Sequence, residues 1–338
     1  MNSSYGPAME IRSEVQLAPV ADEVSAITAV VRPILEGILY SLKQDVVAEA
    51  GGYDELKLHM LARLQRPGDG DCGICFEYAV HDALNRQEAG VVERVSDALG
   101  LCKVPGQTID SILFGAEKTG SLQLIDTVEE RLTWDSSLLS GTKGRPVKLK
   151  RHINAVAAAL RKKSARDLLP QSIAGLWKAD LFLGSSDSDK WVGTTVKINP
   201  SALEGARGLR IGVVPSRQGT SDAIKIDAGK NLVVCPIPYD GSFMEVFYQG
   251  WEVVRQFIAA DARLPQEVNL PRPAQREVAR YLADRRAYPV LAVVQALQPL
   301  SQPHLLETSE SAARLVRAGG VSDVIETSSF IAPVPKSD

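Results

Sequence analysis

The chain has 338 residues, 45% of them hydrophobic and 23% charged, with a formal net charge of −3. These proportions fit a globular fold with one sizeable core, and aromatics at 6% argue against a carbohydrate binder or a stacking platform for single strands. A small negative net charge leaves nucleic-acid binding open, because local patches rather than totals attract phosphate.

Four cysteines occur, Cys72, Cys75, Cys102 and Cys235. Only the first two form a C-x-x-C pair, so a structural zinc site is not expected. The polar start, Met1 to Pro7, is unlike a signal peptide. No run is expected to supply the roughly 18 apolar residues of a membrane span, and a reducing cytoplasm is the expected compartment.

Residues 1–20 are expected to be a flexible tail, and 21–66 an N-terminal helical segment. Ile27, Val30, Val31, Ile34, Leu35, Ile38 and Leu39 recur at helical spacing, and Pro33 is read as beginning a helix. Two helices are expected in this segment. Pro67-Gly68-Asp69-Gly70-Asp71 then breaks the chain, and Asp71 is placed to cap a helix over about 72–86. Residues 67–300 are expected to form the main α/β domain, with 90–166 a largely helical insertion anchored by Trp134.

From Lys143 to Arg166 there are nine basic residues and no acid: Lys143, Arg145, Lys148, Lys150, Arg151, Arg161, Lys162, Lys163 and Arg166. The apolar run Ile153–Leu160 between them predicts a buried helix. β-type runs follow at Ile173–Leu183, Trp191–Ile198, Leu209–Val214 and Leu232–Ile237, separated by polar turns. A long helix over about 242–260 and two more within 273–300 complete the pattern, with 301–338 a C-terminal segment and tail. The order gives an α/β fold with a mixed sheet flanked by helices. Neither G-x-G-x-x-G nor a phosphate-loop lysine motif is present.

Three charges sit in or beside apolar runs. Asp180 lies in Lys178-Ala179-Asp180-Leu181-Phe182, where burying a carboxylate requires a partner. Lys197 follows 17 residues later, a distance that two short strands and a turn would close. Glu77 stands among Phe76, Tyr78 and Val80 on the helix that Asp71 starts. Taken singly, Asp180 also reads as an edge position pointing to solvent, Lys197 equally well as a lysine on a half-exposed face, and Glu77 better as a member of a helix salt bridge. One shared site accounts for all three.

This pattern resembles the PD-(D/E)xK superfamily of restriction-endonuclease-like nucleases, over about residues 70–260. Glu77, Asp180 and Lys197 match its helix acid, its strand acid and its lysine, in that order. The chain departs from the motif at Thr195 in Thr195-Val196-Lys197, where the family carries an acid; Glu77 would stand in for it. The resemblance implies a restriction-endonuclease-like sheet and a Mg²⁺ (or Mn²⁺) ion held by Glu77, Asp180 and the Val196 carbonyl. It implies hydrolysis of DNA phosphodiesters, with restriction or anti-phage defence as the setting. Homodimers and a separate helicase or ATPase subunit are further expectations by analogy. Lys143, Arg145, Lys148, Lys150, Arg151, Arg161, Lys162 and Lys163 would contact phosphates, and Arg207, Arg210, Arg217, Lys225 and Lys230 would extend that surface.

Two other classes compete. A nucleic-acid-binding module that has lost catalysis fits the Thr195 departure. Gly68-Asp69-Gly70-Asp71-Cys72 also resembles the start of ovarian-tumour-type cysteine proteases, with Cys72 as nucleophile. That reading lacks the Asn, replaced here by Asp71, and a suitably placed late histidine.

Overall fold

In a computed structural model, the structure describes residues 9–18, 22–64, 71–104, 106, 108–114, 130–139, 146–169, 173, 176, 179–205, 208–216, 222–239, 243–264, 270–302, 306–317 and 322–325. Strand β1 (Met9–Ala18) is followed by helices α1 (Asp22–Ser41), α2 (Gln44–Glu49), α3 (Leu58–Leu64), α4 (Cys72–Asn85) and α5 (Ala89–Leu101). Next come β2 (Ile109–Leu113), β3 (Ser137–Leu139), β4 (Val147–Lys148) and α6 (Ile153–Arg161). Strands β5 (Leu181–Ser185), β6 (Lys190–Val196), β7 (Arg210–Pro215), β8 (Lys225–Asp227) and β9 (Leu232–Ile237) precede α7 (Phe243–Ala259), α8 (Pro273–Asp284) and α9 (Val290–Leu297). The chain closes with β10 (Leu306–Arg317) and β11 (Ser322–Ile325).

The fold is α/β, built on a mixed eight-stranded sheet with the order β2-β5-β6-β7-β9-β8 and β3-β4 attached through β6. β6 is antiparallel to β5 and parallel to β7. Alternation along the strands separates the two main cores. Leu181, Leu183, Val192, Val196, Ile211 and Val213 face the larger one, which holds α1, α4, α5, α7, α8 and α9. Phe182 and Trp191 face the other, with Ile153, Val156 and Ala159 of α6.

Helix α1 is the central post of the larger core. Its residues Ile27, Val31, Ile34, Leu35, Ile38 and Leu39 are fully buried. Two glycines let its neighbours close on it: a Cβ on Gly37 would lie 3.2 Å from the Cys75 Cα of α4, and one on Gly250 of α7 would lie 2.5 Å from Val30 Cγ2. Pro33 lies inside α1 and does not begin it; packing on several sides offsets a helix penalty of about 3 kcal/mol. Contrary to expectation, Glu23–Ser41 has the length and hydropathy of a membrane span, but 78% of that window is buried by the fold.

Other expectations need correction. Residues 9–18 form β1, which pairs antiparallel with β10, so the segment read as an N-terminal tail contains a strand, as does the segment after residue 301. The N-terminal helical segment holds three helices and a 3₁₀ turn at Tyr53–Glu55, where two helices were expected. Residues 90–166 are not a helical insertion, because β2, β3 and β4 belong to the central sheet. Trp134 is not a buried anchor there: it is 65% exposed. Strand β5 starts only at Leu181, because Ile173, Leu176 and Ala179 are buried at a spacing of three and linked by tight turns, a period that suits 3₁₀ geometry and not a strand.

Candidate active site

The β5–β6 hairpin carries two of the three predicted residues at its open end. Its turn is fastened by Asp189, whose carboxylate accepts from Ser136 Oγ at 2.6 Å and Trp191 Nε1 at 3.0 Å. Asp180, just before β5, is pinned on both sides: its N–H donates to the Thr194 carbonyl at 2.8 Å, and its carbonyl accepts from Phe114 N at 2.9 Å. Lys197, just after β6, donates its N–H to the Val213 carbonyl of β7 at 2.9 Å. The backbone of both residues is therefore held by sheet pairing.

Glu77 comes from the helix that covers this part of the sheet. Helix α4 starts at Asp71, whose Oδ1 accepts from Ile74 N at 2.8 Å, the expected cap. Phe76 meets Phe247 of α7 edge-on with ring centres 5.2 Å apart. With Gly37 opposite Cys75, these contacts fix the rotation of α4 and bury Glu77 against the sheet.

The three side chains converge. Lys197 Nζ donates to Asp180 Oδ2 at 3.0 Å and to Glu77 Oε1 at 3.4 Å. The same Asp180 oxygen accepts from Val196 N at 2.8 Å and from Thr195 Oγ1 at 3.0 Å. Side-chain exposure is 4% for Glu77, 6% for Asp180 and 30% for Lys197, so the ammonium stands between two buried carboxylates and solvent. Residues 120 positions apart thus share one charge cluster.

A fourth charge was missed by sequence reading. Arg210, expected on a phosphate-binding surface, is 7% exposed at the start of β7. Burial holds its guanidinium below the usual arginine range, while the negative charge of Asp180 acts in the opposite sense. Arg210 begins β7, whose Gly212 pairs with Thr195 of β6, a register that the sequence does not mark locally. Among the described residues, Arg210 thus adds a buried positive charge that acts on Asp180 beside Lys197.

Further along α4, His81 Nδ1 lies 2.9 Å from Ser111 Oγ on β2, and Nε2 lies 3.1 Å from Asn85 Nδ2. Burial, with Arg131 adding to it, pushes His81 down to about 4, so it is neutral near pH 7. Ser111 is fully buried, and this pair braces α4 on β2.

Cys72 does not have the surroundings of a nucleophile. Burial, then Asp71, pushes its thiol up to about 11, whereas a reactive cysteine needs its thiolate favoured. His59 and His81 bond to the Arg286 carbonyl and to Ser111 and Asn85. None of the four cysteines forms a disulfide.

The basic stretch is less coherent. Lys143 and Arg145 lie outside the described residues, as do Arg207 and Arg217, and the side chains of Arg161, Lys163 and Arg166 are likewise outside them. Lys148 lies 3.6 Å from Asp135. Lys150 donates to the Leu132 carbonyl at 2.9 Å and sits 5.6 Å over the Trp134 ring. Arg151, Lys162, Lys225 and Lys230 are exposed. Helix α6 is amphipathic where a buried helix was expected: Ile153, Val156 and Ala159 are buried, but Asn154, Ala155 and Ala158 are exposed.

The donor set suits a hard cation with a water-rich shell. Among the described residues no group of three His, Cys, Asp or Glu gathers as a metal cage, as zinc would require. Mg²⁺ commonly takes one or two carboxylates and retains several waters, and Glu77 and Asp180 supply two. No family model, curated protein or solved structure matches this chain.

Proposed function

We propose that the protein is a Mg²⁺-dependent nuclease of the PD-(D/E)xK kind, with a restriction-endonuclease-like sheet, hydrolysing DNA phosphodiesters. The observation that carries this reading is the convergence of Glu77, Asp180 and Lys197 from a helix and two adjacent strands onto one ammonium. Glu77 and Asp180 would hold the cation, with the Val196 carbonyl as a further expected ligand. When bound, Mg²⁺ lowers the pKa of a coordinated water.

The chain's own groups then have distinct tasks. Val196 N and Thr195 Oγ1 fix the orientation of the Asp180 carboxylate. Lys197 would donate to a non-bridging phosphate oxygen, stabilising the negative charge that grows as the water oxygen bonds to phosphorus, releasing its proton to solvent, and the P–O ester bond breaks. Arg210 keeps a second positive charge close to Asp180. Exposed Arg151 and Lys162 would contact the phosphate backbone without reading sequence. A homodimer, a helicase or ATPase partner, a cytoplasmic location and a role in restriction or anti-phage defence accompany this proposal by analogy alone.

A second reading, a module that grips nucleic acid without cutting it, is favoured by Thr195. That side chain is neutral and directs its hydroxyl to Asp180, where the motif would place another acid. A nicking assay on supercoiled plasmid with Mg²⁺ or Mn²⁺ separates the two. The nuclease reading expects cleavage that falls by about 10²–10³-fold in Asp180→Asn and Lys197→Ala, with DNA affinity retained. Binding without nicking of any DNA or RNA supports the second reading and sinks the first.

A further inference from the structure

We infer that Lys197 is a built-in counter-ion that fills the space between Glu77 and Asp180 in the resting protein and must swing out before a divalent cation binds. This rests on the metal-site reading above and adds to it a self-restraint: the residue needed for cleavage also opposes loading of the site.

Three observations carry it. The ammonium is 3.0 Å from one carboxylate and 3.4 Å from the other, so it already sits against the two acids that would hold a cation. It is also the exposed member of the three, at 30% against 4% and 6%, so a cation arriving from solvent meets Lys197 first. Finally, Arg210 is buried, and its positive charge acts together with Lys197 on Asp180. A divalent ion added beside these cations would crowd further positive charge into a poorly solvated site. Moving the Lys197 head outward relieves part of this excess, and its four-carbon stem permits that movement while its backbone stays paired to β7. The displaced ammonium would then face incoming phosphate. Charge on the substrate would thus favour the loaded state, and free metal alone would bind weakly.

Mn²⁺ is the probe, with binding measured by calorimetry and by the electron-spin signal of the free ion. Lys197→Gln is expected to bind Mn²⁺ about tenfold more tightly than the wild type, because a competing positive charge has gone. Lys197→Arg should stay within about threefold of the wild type, because it keeps that charge; Asp180→Asn should lose binding. In the unmodified protein, saturating Mn²⁺ should raise the rate of reductive methylation of Lys197 relative to exposed Lys225, read by peptide mass spectrometry. This arm decides the question even if Lys197→Gln does not fold. Wild-type binding with an equal or weaker Lys197→Gln affinity, or Lys197 reactivity that does not respond to Mn²⁺, overturns the inference and leaves the metal site standing. If neither protein binds Mn²⁺, the metal-site reading fails and takes this inference with it.

Discussion

The sheet carries charge in two contrasting ways. At the open end of the β5–β6 hairpin, Glu77, Asp180, Lys197 and Arg210 gather where three of the four are less than a tenth exposed. Around α6, by contrast, the basic residues are distributed along a surface, and Lys148 and Lys150 are engaged by residues 132–135. The difference lies in desolvation. A buried charge costs several kcal/mol unless partners are fixed around it, so burial enforces geometry. An exposed charge stays solvated and needs no partner, so a run of lysines in sequence need not become a site.

Removing one charge from each region gives the largest expected difference in stability. Arg210→Met removes the buried positive charge that acts on Asp180, but Lys197 stays 3.0 Å from that carboxylate, so the loss is expected to be about 3 kcal/mol, the low end for breaking a buried pair. Arg151→Ala should change stability by no more than about 0.5 kcal/mol. Urea denaturation of both variants checks this, and similar midpoints would remove the contrast.

The same physics explains how much could be read from the chain. Strand β9 and helix α4 fell close to their expected bounds because apolar period and turn residues mark them locally. Asp180 and Lys197 were legible because a charge inside a strand-like run is costly unless paired, and a 17-residue spacing fits a hairpin. Arg210 was not legible as a site residue. Its neighbour on β6 is set by parallel pairing across the 200–209 connection, which leaves no local mark. Pro33 misled because local propensity favours a helix start there, while the clasp of α4 and α7 on α1 is tertiary. Trp134 misled for the converse reason: a large aromatic was expected to be buried, yet it lies exposed beneath Lys150.

A smaller effect should appear with pH, again confined to buried groups. Burial, then Asp82, raises Glu36 on α1 from 4.5 to about 7. The folded state therefore holds this proton more firmly than the unfolded chain, and stability falls as pH rises from about 4.5 to 7. His81 acts in the opposite direction. Its depressed value of about 4 against 6.5 makes its contribution full above pH 6.5 and progressively lost as pH falls toward 4. The two slopes oppose each other over a shared window in the wild type. Glu36→Gln should be more stable than the wild type above pH 7, by on the order of 1–3 kcal/mol, and should expose the His81 acid sensitivity. Denaturation midpoints at pH 5, 6, 7 and 8 would show it, and parallel curves for the two proteins would exclude it.

The smallest expected effect tests the other region. If Arg151 and Lys162 are solvated charges that meet phosphate, replacing both with Ala should leave the fold within about 0.5 kcal/mol of the wild type. It should also lower the slope of log affinity for duplex DNA against log salt by about 2, one for each phosphate that these two side chains neutralise. Asp180→Asn should leave that slope unchanged, because its carboxylate is held within the cluster and does not itself attract phosphate. A titration over several salt concentrations separates the two regions even where a single affinity cannot. A double variant with the wild-type slope would place the DNA elsewhere on the molecule. The buried cluster would then have to be approached from a surface other than the one carrying α6, and the proposed division between a region that grips DNA and one that cuts it would need to be redrawn.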